Sequence, residues 1–223
     1  SKNLPAEYIE QRFPVTVERV GLAIDSGGPG KYRGGLGYVK EIRTLVDGHY
    51  TTVTERTAFS SIGIKGGLAG RPGGSMKNPG TEEEESVFFS RDAVPVKRND
   101  LIRLITPGGG GWGDPLERDV ELVRLDVLRR LVSAESAHRD YGVVIQADTG
   151  EVNHKATEIL RRDFAEARGP TKLINRGAYA QTLIEKGHIA VSDPHLESSD
   201  LANDDILTHY WKDLYKYSNK PSA

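Results

Sequence analysis

The chain contains no cysteine and a single methionine among its 223 residues. That excludes a disulfide framework, a thiolate nucleophile and zinc–thiolate sites, and it points to a cytoplasmic location as the expectation. No apolar run approaches the ~18 residues of a membrane span. The polar N-terminal stretch lacks the pattern of a signal peptide. Basic and acidic residues nearly balance, 30 against 32, for a net charge of -2. This leaves no electrostatic case for nucleic acid or an anionic membrane as partner. The six histidines, His49, His138, His154, His188, His195 and His209, never fall at metal-ligand spacing and read as solvated side chains. There is no Gly-x-Ser-x-Gly elbow, so a serine hydrolase has no support.

Glycine, by contrast, is abundant. Twenty of the 25 glycines lie between Gly21 and Gly113, sixteen of them in three clusters. They are DSGGPGKYRGGLG (residues 25–37), GGLAGRPGG (66–74) and PGGGGWGDP (107–115). Glycine is costly to order and is used where the backbone turns left-handed or lies close to something. The clusters are therefore expected as loops that converge on a ligand or pack against another chain.

Residues 1–115 read as β-rich. Strands are expected over 13–25, 37–46, 50–59, 85–90 and 100–106, from apolar alternation and Thr or aromatic content. Asp47 and Gly48 predict a hairpin between the second and third. Beyond Pro115 the apolar period lengthens, and Leu116–Val132 predicts one amphipathic helix with Asp114 as N-cap and Pro115 at its first position. A short helix with Ser133 or Ser136 as cap, a strand over 141–147, a turn at 148–150 and a helix over 155–167 ended by Gly169 follow. Segments 177–186 and 204–217 have helical composition, and 192–203 that of a linker. The fold class is thus α+β: a Gly-rich antiparallel or mixed β region (1–115), a helix and strand part (116–170) and a polar helical extension (171–223).

Each cluster admits two readings. The first fails as a phosphate loop, because Asp25 stands where Walker A needs glycine and Tyr32 where it needs Ser or Thr. No helix follows to hold a pyrophosphate. It is either a structural loop closed by Asp25 and Ser26 turn bonds, or a site where Asp25, Ser26, Arg33 and bare backbone N–H groups meet an anion. In the second, Lys65 and Arg71 offer the charge. In the third, Trp112 either plugs a sheet–helix junction or lines a pocket, and Asp114 is either a helix cap or a functional carboxylate.

Taken together and in order, the three glycine segments, with SAESA at 133–137 and YGVV at 141–144, resemble the hydantoinase B / 5-oxoprolinase family over residues 3–165. The resemblance implies one half of an ATP-dependent enzyme that opens cyclic amides. An A-type half binds ATP and Mg²⁺ and phosphorylates the substrate; the B-type half, which this chain resembles, handles the activated intermediate. Ketone carboxylases of the acetone and acetophenone type are related, and a non-catalytic packing subunit is the reading from another class.

The match is to the C-terminal part of the B-type half. The N-terminal part, which carries a metal site in some members, has no counterpart here, so the half is either divided between polypeptides or continued on a longer chain. The absence of an initial Met agrees with either. The resemblance implies no cofactor on this chain, and as partners an A-type subunit and the rest of the B-type half. It also implies poor solubility alone. Asp25, Ser26, Arg33, Arg71, Trp112 and Asp114 are the residues it suggests for the intermediate.

Overall fold

A computed structural model describes residues 3–57, 59–87 and 90–187. The expected helix over 204–217, the linker and the aromatic cluster of 209–217 lie outside the described residues.

The fold is α+β. Its main sheet joins β1 (Val15–Leu22), β2 (Tyr38–Thr44), β5 (Gly74–Lys77), β6 (Glu85–Val87) and β8 (Leu101–Ile105) in the order β1-β2-β8-β5-β6, all antiparallel. A second ribbon pairs β3 (Gly48–Thr52) with β7 (Arg91–Val96), and a short bridge pairs β4 (Gly63–Ile64) with β9 (Ile174–Asn175). The helix α1 (Ala6–Arg12) precedes β1 and lies against it.

Alternation sorts the main sheet into two unlike faces. The rows Val17–Ile42–Ile102 and Val20–Lys40–Leu104 share one face by register. On the other, Glu41 is held by Arg103 at 2.7 Å and Arg19 at 3.8 Å, and Glu18 pairs with Arg43. That face is charged and self-compensated.

The hairpin expected at Asp47 and Gly48 does not form, since β3 pairs with β7 and not with β2. The cause is local: the Thr44 hydroxyl donates to Lys97 O (2.6 Å), and Asn99 N–H donates to Thr44 O (2.8 Å). These bonds turn the chain out of the main sheet before it can fold back. The third strand also stops at Thr52 instead of reaching residue 59.

The three glycine segments come together as one layer. They run extended, each hydrogen-bonded to the other two: Gly28 N–H to Gly109 O (2.8 Å), Leu68 N–H to Pro29 O (2.7 Å), and Gly111 N–H to Leu68 O (2.9 Å). Several of their N–H groups are thereby taken by one another's carbonyls, among them those of Gly28, Leu68, Gly109 and Gly111. The absence of side chains permits this approach. A Cβ at Gly110 would overlap Ile62 O, and one at Gly34 would overlap Gly109 O; both obstacles are backbone and cannot rotate aside.

Helices follow. Asp114 caps a single 3-10 turn, Pro115–Glu117, by accepting from Leu116 N–H (2.9 Å). The expected helix is therefore broken: Arg118 is extended, and α2 (Val120–Leu128) starts anew on its own cap, Asp119. The helix α3 (Ala134–Tyr141) is capped by Ser133, whose Oγ accepts from Ser136 N–H, and ends at left-handed Gly142. Residues 141–147, expected as a strand, instead complete α3 and run on irregularly to one bridge between Ile145 and Val152. The helix α4 (His154–Arg168) ends at Gly169, and α5 (Ala178–Glu185) closes the described part. Val123, Val132, Ala137, Tyr141, Val143 and Val152 form the helical core.

Candidate functional site

The glycine layer meets α3 at a small pocket of about 160 Å³, where Asp25, Arg71, Ser136, Arg139, Asp140 and Tyr141 stand beside apolar Pro29, Leu68, Ala69 and Val132. Asp25 sits there in the left-handed region (φ 60°), a conformation that Asp tolerates. Its N–H donates to Leu131 O (3.1 Å) and its Oδ1 accepts from Ser133 N–H (2.7 Å), which places the carboxylate at the start of α3. A negative charge is favoured at that end of a helix.

Ser26 lies beneath the pocket, 2% exposed. Its hydroxyl donates to Ala23 O (2.6 Å) and accepts from Gly37 N–H (2.9 Å), so it closes the loop. Arg71 is fixed by its backbone, N–H to Ser26 O (2.8 Å) and O from Gly108 N–H (3.1 Å). Its guanidinium is exposed and has no partner among the described residues.

Arg139 donates to both carboxylate oxygens of Asp140 (2.8 and 2.7 Å) and to Ser136 Oγ (3.2 Å). The Asp140 hydrogen bond holds its pKa above the ordinary value for arginine. Tyr141 is 1% exposed, its hydroxyl is unpartnered, and burial pushes the phenol well above its usual range, so it stays neutral. With Arg139 compensated by Asp140, and Asp25 by the start of α3, Arg71 is the charge left to meet a ligand. A single guanidinium beside a small hollow of mixed lining suits a carboxylate or phosphoryl group.

The other three residues singled out in the sequence lie elsewhere. Arg33 donates to Asp126 (3.0 Å) and to Gly34 O (2.8 Å), and Arg118 reaches the same carboxylate (3.0 Å). All three side chains are largely buried, at 15%, 9% and 11% exposure for Arg33, Asp126 and Arg118, and they tie the first glycine segment to α2. Asp114, besides capping its turn, accepts from Arg168 Nη1 (2.7 Å) near the end of α4. Trp112 is half-exposed, with Lys65 Nζ 5.2 Å from its ring centre and its backbone bridged to Tyr32. It plugs no junction. Arg139 and Asp140 read in the sequence as ordinary polar positions of a short helix, and Ser136 only as a cap candidate; nothing local places them at a pocket. Among the described residues no three His, Asp or Glu side chains gather as metal ligands.

A second hollow, an apolar trough of about 620 Å³, lies between the apolar face of the main sheet, the β3–β7 ribbon and α1. Ile42, Ile102 and Leu104 form its floor; Ile9, Tyr50 and Val96 contribute walls.

Comparison with known proteins gives these features a setting. The sequence profile described as Hydantoinase B/oxoprolinase matches residues 1–115. An uncharacterized protein of Methanocaldococcus jannaschii is 35% identical over 162 residues, 71% of this chain and 28% of its own length. The caprolactamase subunit beta of Pseudomonas jessenii is 32% identical over 161 residues, 70% of this chain and 27% of that subunit. The crystal structure of the ATP-dependent caprolactamase from that organism superposes with a TM-score of 0.58 at 31% identity, covering 71% of this chain and 28% of the matched one. Nucleotide-free acetone carboxylase shares the fold, with a TM-score of 0.54 at 18% identity over 98% of this chain and 33% of its own. The chain thus spans little more than a quarter of the length of its first relatives.

Proposed function

The chain belongs to the hydantoinase B/oxoprolinase family, and from that premise we propose that it is the C-terminal part of the B-type half of an ATP-dependent cyclic-amide hydrolase. The observation that carries this is the coincidence of sequence and fold similarity to caprolactamase over the same seven-tenths of the chain. ATP and Mg²⁺ are assigned to an A-type partner half, which activates the amide by phosphorylation. A metal, where the complex uses one, is assigned to the part of the B-type half outside this chain. One water then attacks the activated carbon, the ring C–N bond breaks as the nitrogen takes a proton, and a second water hydrolyses the resulting acyl phosphate to carboxylate and free phosphate.

Within that scheme the pocket beside α3 takes an anionic group of the intermediate. Arg71 supplies the pairing charge, Asp25 and Ser26 hold the loop that presents it, and Arg33, Trp112 and Asp114 fasten the surrounding layer. A hydrogen bond to a charged group is worth about 1.5–3 kcal/mol, roughly a ten- to hundredfold change in rate if made in the transition state. Replacing Arg71 by Ala in the assembled enzyme therefore lowers turnover by that factor, with the complex still eluting intact. Unchanged turnover removes the pocket from the reaction and leaves a packing role.

A second reading, a ketone carboxylase subunit, is favoured by the reach of the acetone carboxylase match, which extends over nearly the whole chain. The two separate on one assay. A hydrolase releases an amino acid from a lactam, or an N-carbamoyl amino acid from a hydantoin, whereas a carboxylase fixes labelled bicarbonate onto a ketone.

A further inference from the structure

We propose that the apolar trough on the main sheet is the docking seat for the rest of the B-type fold, the polypeptide that the relatives carry outside the region this chain matches. The inference rests on the family reading above. Protein interiors are packed nearly without voids, and a hollow of about 620 Å³ between a sheet face and a ribbon is not a finished core. Its rim is apolar and bare: Phe13, Val46 and Val53 line it and are 55%, 50% and 84% exposed. The opposite sheet face has no such need, since its Arg19–Glu41–Arg103 and Glu18–Arg43 pairs satisfy one another.

The sheet edge beside the trough is open as well. Among the described residues β1 has one neighbour, β2, and beyond the N–H of Val17, taken by Glu10 (2.7 Å), no described strand pairs with its outer side. Val20 and Leu22 of that edge strand are 59% and 52% exposed. The occupant follows from length. The matched region is 27–28% of the relatives' own chains, so a fold of their kind has a large body of polypeptide still to place. The occupant presents apolar side chains to the floor and backbone hydrogen bonds to β1, on this polypeptide or on a separate one.

The lack of cysteine makes the test clean. Val53→Cys places a thiol on the trough rim, and Thr16→Cys places one on the opposite face of β1, both at exposed positions that do not disturb folding. Each variant replaces the native chain in its source, and the assembled enzyme is treated with a short thiol-to-photoreactive cross-linker, digested and read by mass spectrometry. The expected product joins position 53 to a peptide whose sequence matches the B-type relatives outside the region shared with this chain. The thiol at 53 should also react with a polar maleimide at least tenfold more slowly than the thiol at 16. Cross-linking of position 53 to a second copy of this chain, or to an A-type subunit, overturns the proposal. So does fast maleimide labelling without a protein adduct, which indicates an open trough or a small apolar ligand. If B-type sequence co-purifies but cross-links from position 16, the seat alone is wrong. If no B-type or A-type sequence accompanies the chain, the family function falls with it.

Discussion

Gly34 and Gly35 are neighbours in sequence and opposites in environment, and replacing each by alanine separates backbone packing from backbone flexibility. A Cβ on Gly34 would overlap Gly109 O and come within 2.8 Å of Gly110 O. Both obstacles are main-chain atoms, and Gly109 O is held by the N–H of Gly28, so relief requires the first and third glycine segments to part. Overpacking of this kind costs about 1–3 kcal/mol, and the upper end applies where backbone blocks relaxation. A Cβ on Gly35 meets nothing within 4 Å, and its φ lies outside the left-handed region. There the methyl restricts the unfolded chain and stabilises by roughly 0.4–1 kcal/mol. At roughly 2–4 °C per kcal/mol for a chain of this size, Gly34→Ala lowers the melting midpoint by about 6–12 °C and Gly35→Ala raises it by about 1–4 °C. Thermal unfolding followed by circular dichroism reads both. Equal destabilisation by the two variants would refute the argument, because it would mean that flexibility, not close approach, selects glycine in this segment.

Asp126→Asn should lower the urea midpoint strongly, by about 3–5 kcal/mol, because Arg33 and Arg118 would be left facing each other largely buried. Asp100 carries an acid-sensitive contribution. Burial alone would raise its pKa, but hydrogen bonds from Asn78 Nδ2 and Lys97 N–H, both at 2.8 Å, outweigh that and hold it below its ordinary value of 3.8. With the folded pKa depressed, the contribution is complete above the unfolded value and disappears as pH falls through the folded one. Asp100→Asn should therefore flatten the stability–pH curve below pH ~4 by about 1 kcal/mol, a figure discounted for solvent screening, as read by melts from pH 2 to 6. Ser133→Ala removes the α3 cap and should cost about 1 kcal/mol by the same assay.

Much of the fold was legible because it rests on short-range chemistry. The alternation of 15–22, the Ser133 cap and the stop at Gly169 each depend on residues within a few positions. What failed depends on partners far away. Asp47 and Gly48 carry good turn chemistry, yet β3 answers to β7 across more than forty residues. The apolar spacing from Leu116 to Leu131 looks like one helix, but two aspartates five residues apart each start their own. Arg33 advertised a charge in a glycine setting, and nothing local revealed that Asp126 would neutralise it. The glycine clusters were conspicuous for the right reason, close approach, but the backbone approached turned out to be their own. Of the pocket, Asp25 and Arg71 could be named in advance, whereas Arg139 and Asp140 join them only because α3 folds back onto the layer.

The three-way hydrogen bonding of the glycine segments also bears on how the chain reaches its native state. The bonds join segments roughly forty residues apart, or about eighty between the first and third, so two long loops must close before the layer is complete, and glycine offers no apolar side chain to draw the segments together early. The contacts within α2, α3 and α4 are local by comparison. Refolding should therefore proceed from the helical part and the flanking strands, with the glycine segments acquiring hydrogen-exchange protection last. The glycine layer is thus the slowest part of the described fold to form.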